Sequence, residues 1–273
     1  MRHAGALARR FHSEITLLHV AEFSIVHPLS GPLGFGITST EAERAEHMER
    51  RRQQLAQFSE DELSGIPVKR ILCCGDPAQV IVERARAEKS DLILMPTRGY
   101  GAFRRFLLGS VTAKVLHDGE CPVWTGVHLM DSPLADLGEI RQVMCAVSLG
   151  PQSANIIRWA ADFAAEFGAR LTVALAVIDA PPSLPERYMF QWHEEAHWGA
   201  EERLHALLLD SGIHADILVV SDGDVPKSLS LASLEKGAEL LVIARGCAHD
   251  AEKKLGAHAY ATICHAPCPV VSV

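Results

Sequence analysis

Three pairs of short motifs recur in this chain at one spacing. Arg98-Gly99, Leu108-Gly109 and Cys121-Pro122-Val123 are matched by Arg245-Gly246, Leu255-Gly256 and Cys268-Pro269-Val270, each 147 residues further on. Gly75-Asp76 is matched by Gly223-Asp224 at 148, and the run from Phe11 to Thr16 by that from Phe167 to Thr172 at 156. A spacing shared by separate motifs marks a tandem duplication of one unit. The polar, proline-containing stretch 127–138 is the expected linker, giving domains at 1–126 and 139–273.

Within each copy, short apolar runs alternate with amphipathic stretches, the pattern of an α/β fold with a parallel sheet flanked by helices. In the first copy a helix is expected over 1–11, with Ala4, Leu7, Ala8 and Phe11 at helical spacing, followed by a strand over 15–20. A charged helix follows over 41–58, where Glu41, Glu43, Glu46 and Glu49 balance Arg50 to Arg52 as a solvated face. Val68 to Cys73 reads as a strand, with Cys73-Cys74 at its end, and a helix over 78–89 starts behind Asp76-Pro77. His19 reads as a polar residue near a strand end, and Gly31, Gly34 and Gly36 lie in a loop.

The stretch 91–124 carries the chemistry. Leu92 to Met95 is too short for a helix and is bounded by Pro96, so it reads as a buried strand. A loop follows with Gly99, Gly101, Arg98, Arg104 and Arg105, and then a helix for which Ser110 is the expected N-cap and His117 and Gly119 the end. Cys121-Pro122-Val123-Trp124 opens another strand. A glycine loop between a strand and a helix N-terminus aims free N–H groups and the positive dipole end at one spot, which suits an anion. The loop is not a P-loop, because Gly-Lys-Ser/Thr is absent, and Gly99 and Gly109 are too far apart for the dinucleotide fingerprint.

Gly99, nine residues, then Gly109-Ser110, with Cys121-Pro122-Val123 eleven residues beyond Ser110, resembles the ATP-binding signature of the universal stress protein family. The signature's first glycine falls on Pro96, a departure. The resemblance implies a doubly wound parallel sheet in each copy, similar to the adenine nucleotide alpha hydrolases. It also implies binding of ATP or a related adenine nucleotide, with Mg as a candidate companion ion, in a stress-response role with at most slow hydrolysis. Carried onto this sequence, the nucleotide-binding residues are Pro96, Thr97, Arg98, Gly99, Gly109, Ser110 and Val111. In the family the last strand of the sheet lies at an edge and often pairs across a dimer. The strands beginning at Cys121 and Cys268 are therefore expected to pair with each other as an intramolecular pseudo-dimer, with a homodimer as a further option.

The copies differ. The second begins with a strand over 142–147, then Ser148 to Ser153 and a helix from Ala154; Met1 matches Ile157, so the first copy has no equivalent. In the family this first strand is central, and its end carries an aspartate that contacts the nucleoside; the second copy has Ser148 there. Ala257 replaces Ser110, and Ala251 and Glu252 replace Arg104 and Arg105, partly offset by Lys253 and Lys254. The second copy therefore reads as degenerate. The first is expected to be completed by an upstream extension of about 18 residues, roughly one strand and a half-turn, the length of the segment ahead of the match in the second copy.

Other classes fit less well. A formal net charge of −8 argues against a general nucleic-acid or membrane surface, and no apolar run spans a bilayer. Seven scattered cysteines suit reduced cytoplasmic thiols better than a disulfide framework. His193-Glu194-Glu-Ala-His197 matches a zinc-hydrolase pattern, but Gly199 is one residue off the extended spacing and no third ligand is evident, so a polar helix face is the expectation. Packing is likewise expected for Cys264 and Cys268. No nucleophile–base pair stands out for efficient chemistry, so the function that the resemblance implies is nucleotide binding, with a nucleotide-independent dimeric interaction module as the alternative.

Overall fold

The computed structural model describes residues 1–21, 41–97, 108–126, 140–177, 185–221, 223–245 and 255–273. The chain divides into two compact units, Met1–Arg84 with Ala135–Leu137, and Ala85–Leu134 with Gly138–Val273. The expected linker, 127–138, lies outside the described residues.

The first unit is built on two parallel strands, β1 (Ile15–Ala21) and β2 (Val68–Cys74), in register from Ile15↔Val68 to Ala21↔Cys74. Helix α1 (Arg2–Arg10) buries Gly5, Leu7 and Ala8. Gly5 is required there, because a Cβ would come 2.6 Å from the carbonyl oxygen of Glu62. The Arg9 guanidinium donates to that same carbonyl at 2.8 Å. Helix α2 (Glu41–Gln57) buries no residue, as its charge density leads one to expect. It is tied to β2 by Arg70, whose Nε donates to the Leu55 carbonyl at 3.0 Å. Helix α3 (Pro77–Glu88) starts where Asp76-Pro77 indicates, with the Asp76 carboxylate accepting from the Gln79 N–H at 2.8 Å.

The second unit holds a seven-stranded sheet. Its first-copy members are β3 (Ile93–Pro96) and β4 (Val123–Gly126), with α4 (Ser110–Asp118) between them. Its second-copy members are β5 (Gln142–Val147), β6 (Arg170–Val177), β7 (Asp216–Ser221), β8 (Leu240–Ile243) and β9 (Val270–Ser272). Helices α5 (Ser153–Phe167), α6 (Glu186–Ser211), α7 (Val225–Glu235) and α8 (Ala257–His265) connect these strands. The strand order is β3-β4-β9-β8-β5-β6-β7, parallel at every step except β4–β9. Strand β5 is central to the second copy and buried along its whole length, as a continuous apolar run in a parallel sheet should be.

The antiparallel step joins the copies. Val123, Trp124 and Thr125 face Ser272, Val271 and Val270, and the Thr125 hydroxyl donates to the Val270 carbonyl at 3.1 Å. The last strands of the two copies thus pair as expected, and neither is left as an open edge. Trp124, fully buried, packs at 5.9 Å on Phe163 of α5, which stacks in turn on Trp159 and Phe167. Burial of each such large side chain contributes about 1.5–3 kcal/mol. One core is therefore shared by residues from both copies.

Among the described residues β1 pairs only with β2 and β3 only with β4, whereas their counterparts β6 and β8 both pair with β5.

Candidate functional site

The end of β3, the end of β4 and the first turn of α4 are tied by backbone-directed bonds. The Gly109 N–H donates to the Thr97 carbonyl at 2.9 Å, so the two ends of the loop meet. Thr97 is buried, and its N–H and hydroxyl reach the Gly126 carbonyl at 3.4 and 3.2 Å. The Thr112 hydroxyl, in the first turn of α4, donates to the Pro96 carbonyl at 3.0 Å. The Leu108 N–H donates to the Tyr260 hydroxyl of α8 at 3.2 Å. Pro96, Thr97, Gly109, Ser110 and Val111 are therefore gathered at one strand-to-helix junction. Arg98 and Gly99 lie outside the described residues, as do Gly101, Arg104, Arg105 and the 30–38 loop.

Ser110 is not the N-cap. The cap is Gly109, with φ −65° and ψ 149°, and its carbonyl accepts the first helical bond from the Ala113 N–H at 2.9 Å. Ser110 is the first helical residue, with its side chain exposed. A capping Ser, Thr, Asp or Asn would turn its own oxygen onto the N–H of the second or third helical residue. Glycine has no side chain to do so, and among the described residues no side chain caps this helix. A helix N-terminus capped by glycine, with the dipole behind it, is an arrangement that suits an external acceptor.

The second copy repeats the frame. Gly256 caps α8 with φ −65° and ψ 150°, and its carbonyl accepts from the Tyr260 N–H at 2.9 Å. The strand registers correct the sequence comparison at one point. Ile93 donates to the Pro122 carbonyl and Leu241 to the Pro269 carbonyl, which puts β3 and β8 148 residues apart, while β4 and β9 are 147 apart. The second loop is thus one residue shorter, and Arg245 occupies the place of Thr97, not of Arg98. In agreement, the Gly256 N–H donates to the Arg245 carbonyl at 2.9 Å, as Gly109 does to Thr97.

Arg245 is committed elsewhere. Its guanidinium donates to the carbonyls of Gly119 and Cys121 and, at 3.4 Å, to that of Ser272. Burial lowers its pKa from the usual guanidinium range, with the Cys121 thiol acting in the opposite direction. This clamp, the Thr112 bond and the Tyr260 contact were not legible in the sequence. Each is a long-range match to a backbone carbonyl or N–H, which leaves no spacing signature.

The His193-Glu194-His197 motif lies on α6. His197 Nε2 is 3.2 Å from the Ser221 hydroxyl, and among the described residues no three His, Cys, Asp or Glu side chains gather in a metal-binding group. No described helix is long and apolar enough to cross a membrane.

Fold and junction together define a tandem α/β protein with parallel sheets and a glycine-capped strand–loop–helix site in each copy. The description of the Universal stress protein family matches residues 1–125 and 139–273, and the chain belongs to that family. It is similar to a universal stress protein of Thermus aquaticus, 45% identical over 62 residues covering 22% of this chain and 45% of that protein. A universal stress protein of Methanocaldococcus jannaschii is 29% identical over 124 residues, covering 45% of this chain and 69% of that protein. The chain thus spans less than half the length of the Thermus relative in the matched region. Among solved structures, a universal stress protein from Archaeoglobus fulgidus matches with a TM-score of 0.69 at 19% identity, covering 99% of this chain and 89% of that one.

Proposed function

We propose that this protein binds an adenine nucleotide, ATP or a close relative, at the junction of β3 and α4, and acts by binding rather than by turnover. The observation that carries the reading is the glycine N-cap at Gly109, which leaves the N–H groups of Ser110 and Val111 without a capping side chain beside an exposed Ser110 hydroxyl. Phosphate oxygens are the natural acceptors for such a cradle. Pro96, Thr97, Arg98 and Gly99 complete the proposed site, with Mg as a companion to the phosphates. Family membership supports the role, as does the agreement of Gly99, Gly109 and Ser110 with the family's nucleotide signature. The functional domains on this reading are the two repeats, 1–126 and 139–273. The second is the weaker binder, because Ala257 lacks the hydroxyl and Arg245 is held by carbonyls.

The test is calorimetric titration with ATP of the wild type, Gly109→Val and Gly256→Val. A valine at 109 brings a branched side chain against the phosphate position, so binding is expected to vanish, while the 256 variant keeps it. Equal losses in both variants, or no heat with the wild type, would overturn the reading.

A further inference from the structure

The face of the β1–β2 pair that meets α2 brings two sulfurs together. Cys74 Sγ, at the end of β2, lies 3.8 Å from Met48 Sδ on α2. A metal–sulfur bond to a thiophilic ion is about 2.3 Å, so two sulfurs at a trigonal angle about one ion lie about 4 Å apart. The observed spacing therefore fits a shared ion with little movement of either residue.

Two imidazoles lie on the strand pair and the helix that carry these sulfurs. The register aligns Ala21 with Cys74, so His19, two residues earlier on β1, shares the face of Cys74 on the neighbouring strand. His47 and Arg51 are the α2 residues that act electrostatically on His19. His47 itself sits one residue before Met48, and Arg51 Nε lies 3.5 Å from His47 Nε2. Cys73 points to the opposite face, where the Arg84 guanidinium approaches its sulfur at 3.7 Å.

We infer that Cys74, Met48 and one imidazole, His19 or His47, form a site for a soft monovalent metal ion, Cu(I) being the natural occupant. Thiolate, thioether and imidazole donors together select Cu(I) among biological ions. Charge points the same way. On binding, the Cys74 thiol releases its proton to solvent, and one thiolate with one monovalent ion is neutral overall. A neutral complex is tolerated beside the Arg51 guanidinium, where a divalent ion with the same ligands would leave a net positive charge. No redox step is involved.

The test is anaerobic competition for Cu(I) against a chromogenic chelator, with the full chain. One Cu(I) per chain is expected. Cys74→Ser should abolish binding, Met48→Leu should weaken it about tenfold or more, and Cys73→Ser should leave it unchanged. Cys74 is exposed and Met48→Leu conserves volume, so these variants should fold; an unchanged circular dichroism spectrum and unfolding midpoint with each would confirm it. Copper lost equally in Cys73→Ser and Cys74→Ser would mean that the adjacent thiols, not the two sulfurs facing α2, are the ligands. That result, copper retained in Cys74→Ser, or no copper bound at all, would overturn the proposal. Because the site shares no residue with the 96–111 junction, failure here is distinguishable from failure of nucleotide binding.

Discussion

The guanidinium of Arg245, at the end of β8, donates to the carbonyl of Gly119, the residue that ends α4 in the other copy. Gly119 admits nothing larger: a Cβ there would lie 2.7 Å from the Val115 carbonyl oxygen and 3.4 Å from Arg245 Nη1. A cation at a helix C-terminus is favoured by the dipole, and here it also reaches the Cys121 carbonyl that leads into β4. The antiparallel β4–β9 seam is thus fastened from one side by a residue that the sequence comparison assigned to a phosphate-type loop.

Arg245→Ala is therefore expected to destabilise the second unit. Leaving buried carbonyls without a donor costs about 1–3 kcal/mol each, so a loss of about 2–4 kcal/mol in denaturant unfolding is predicted. Arg245→Lys should recover less than about half of it, because a single ammonium cannot reproduce the planar fork that spans two carbonyls. Nucleotide binding at the β3–α4 junction should survive Arg245→Lys. A wild-type midpoint for Arg245→Ala would show that the clamp is not structural.

How much of this could be read from residues alone is instructive. Strands 15–20, 68–73 and 142–147 and helix 41–58 were legible because apolar runs and charge patterns are local, and the structure places them within a residue or two. The β4–β9 pairing was expected from the resemblance, in which the last strand of each repeat lies at a sheet edge, applied to the strands that open with Cys121-Pro122-Val123 and Cys268-Pro269-Val270. The match of Arg98 with Arg245 misled, because the change of spacing from 148 at Gly75 to 147 at Gly109 shows that one residue is lost but not where, until strand hydrogen bonds fix the register. Ser110 misled for a related reason. Its side chain suits a cap, but the helix is set by which carbonyl accepts first, and that is Gly109.

The cysteines should separate by environment. Burial raises the Cys145 thiol far above the ordinary range and pushes Cys268 up to about 12, while Cys74 is exposed. Only the thiolate reacts with alkylating reagents, so at pH 8 neither Cys145 nor Cys268 should be modified in the folded protein. Peptide mass mapping after brief iodoacetamide treatment should find Cys74 labelled and those two bare. Early labelling of Cys145 would contradict the central, fully covered position of β5.

Acid should weaken the first unit through His19. Its pKa is lowered from 6.5 by burial, with Arg51 and His47 adding to the effect. The unfolded chain then takes up the proton more readily than the folded one. The stability that depends on the neutral ring is complete above pH 6.5, is lost as pH falls below it, and levels off beneath the folded pKa. Denaturant midpoints of wild type and His19→Gln should diverge less at pH 5 than at pH 8 if the neutral ring stabilises the fold, because protonation penalises only the wild type. A constant difference between the two proteins would remove His19 as the cause.

The last expectation concerns the side of β1 turned away from β2. In β6, its counterpart, hydrogen bonds run to β5 on one side and β7 on the other, while β1 among the described residues pairs only with β2. If the N–H and C=O groups along that side were buried, each would cost about 1–3 kcal/mol, and several together would rival the roughly 5–15 kcal/mol that holds a domain folded. The residues of β1 are half-buried up to Ala21, however, whereas those of β6 are buried from Leu171 to Leu175. Water can therefore reach much of the β1 edge, and the cost falls well below that sum. Hydrogen exchange followed by mass spectrometry should show alternate amides of Ile15–Ala21 exchanging far faster than those of β6. Fusing a segment patterned on residues 139–156 ahead of residue 1 would offer β1 the kind of parallel partner that β5 gives β6, and should slow that exchange while raising the unfolding midpoint of the first unit. Uniform protection along β1 in the 273-residue chain, with no gain from the added segment, would mean that its edge is already satisfied.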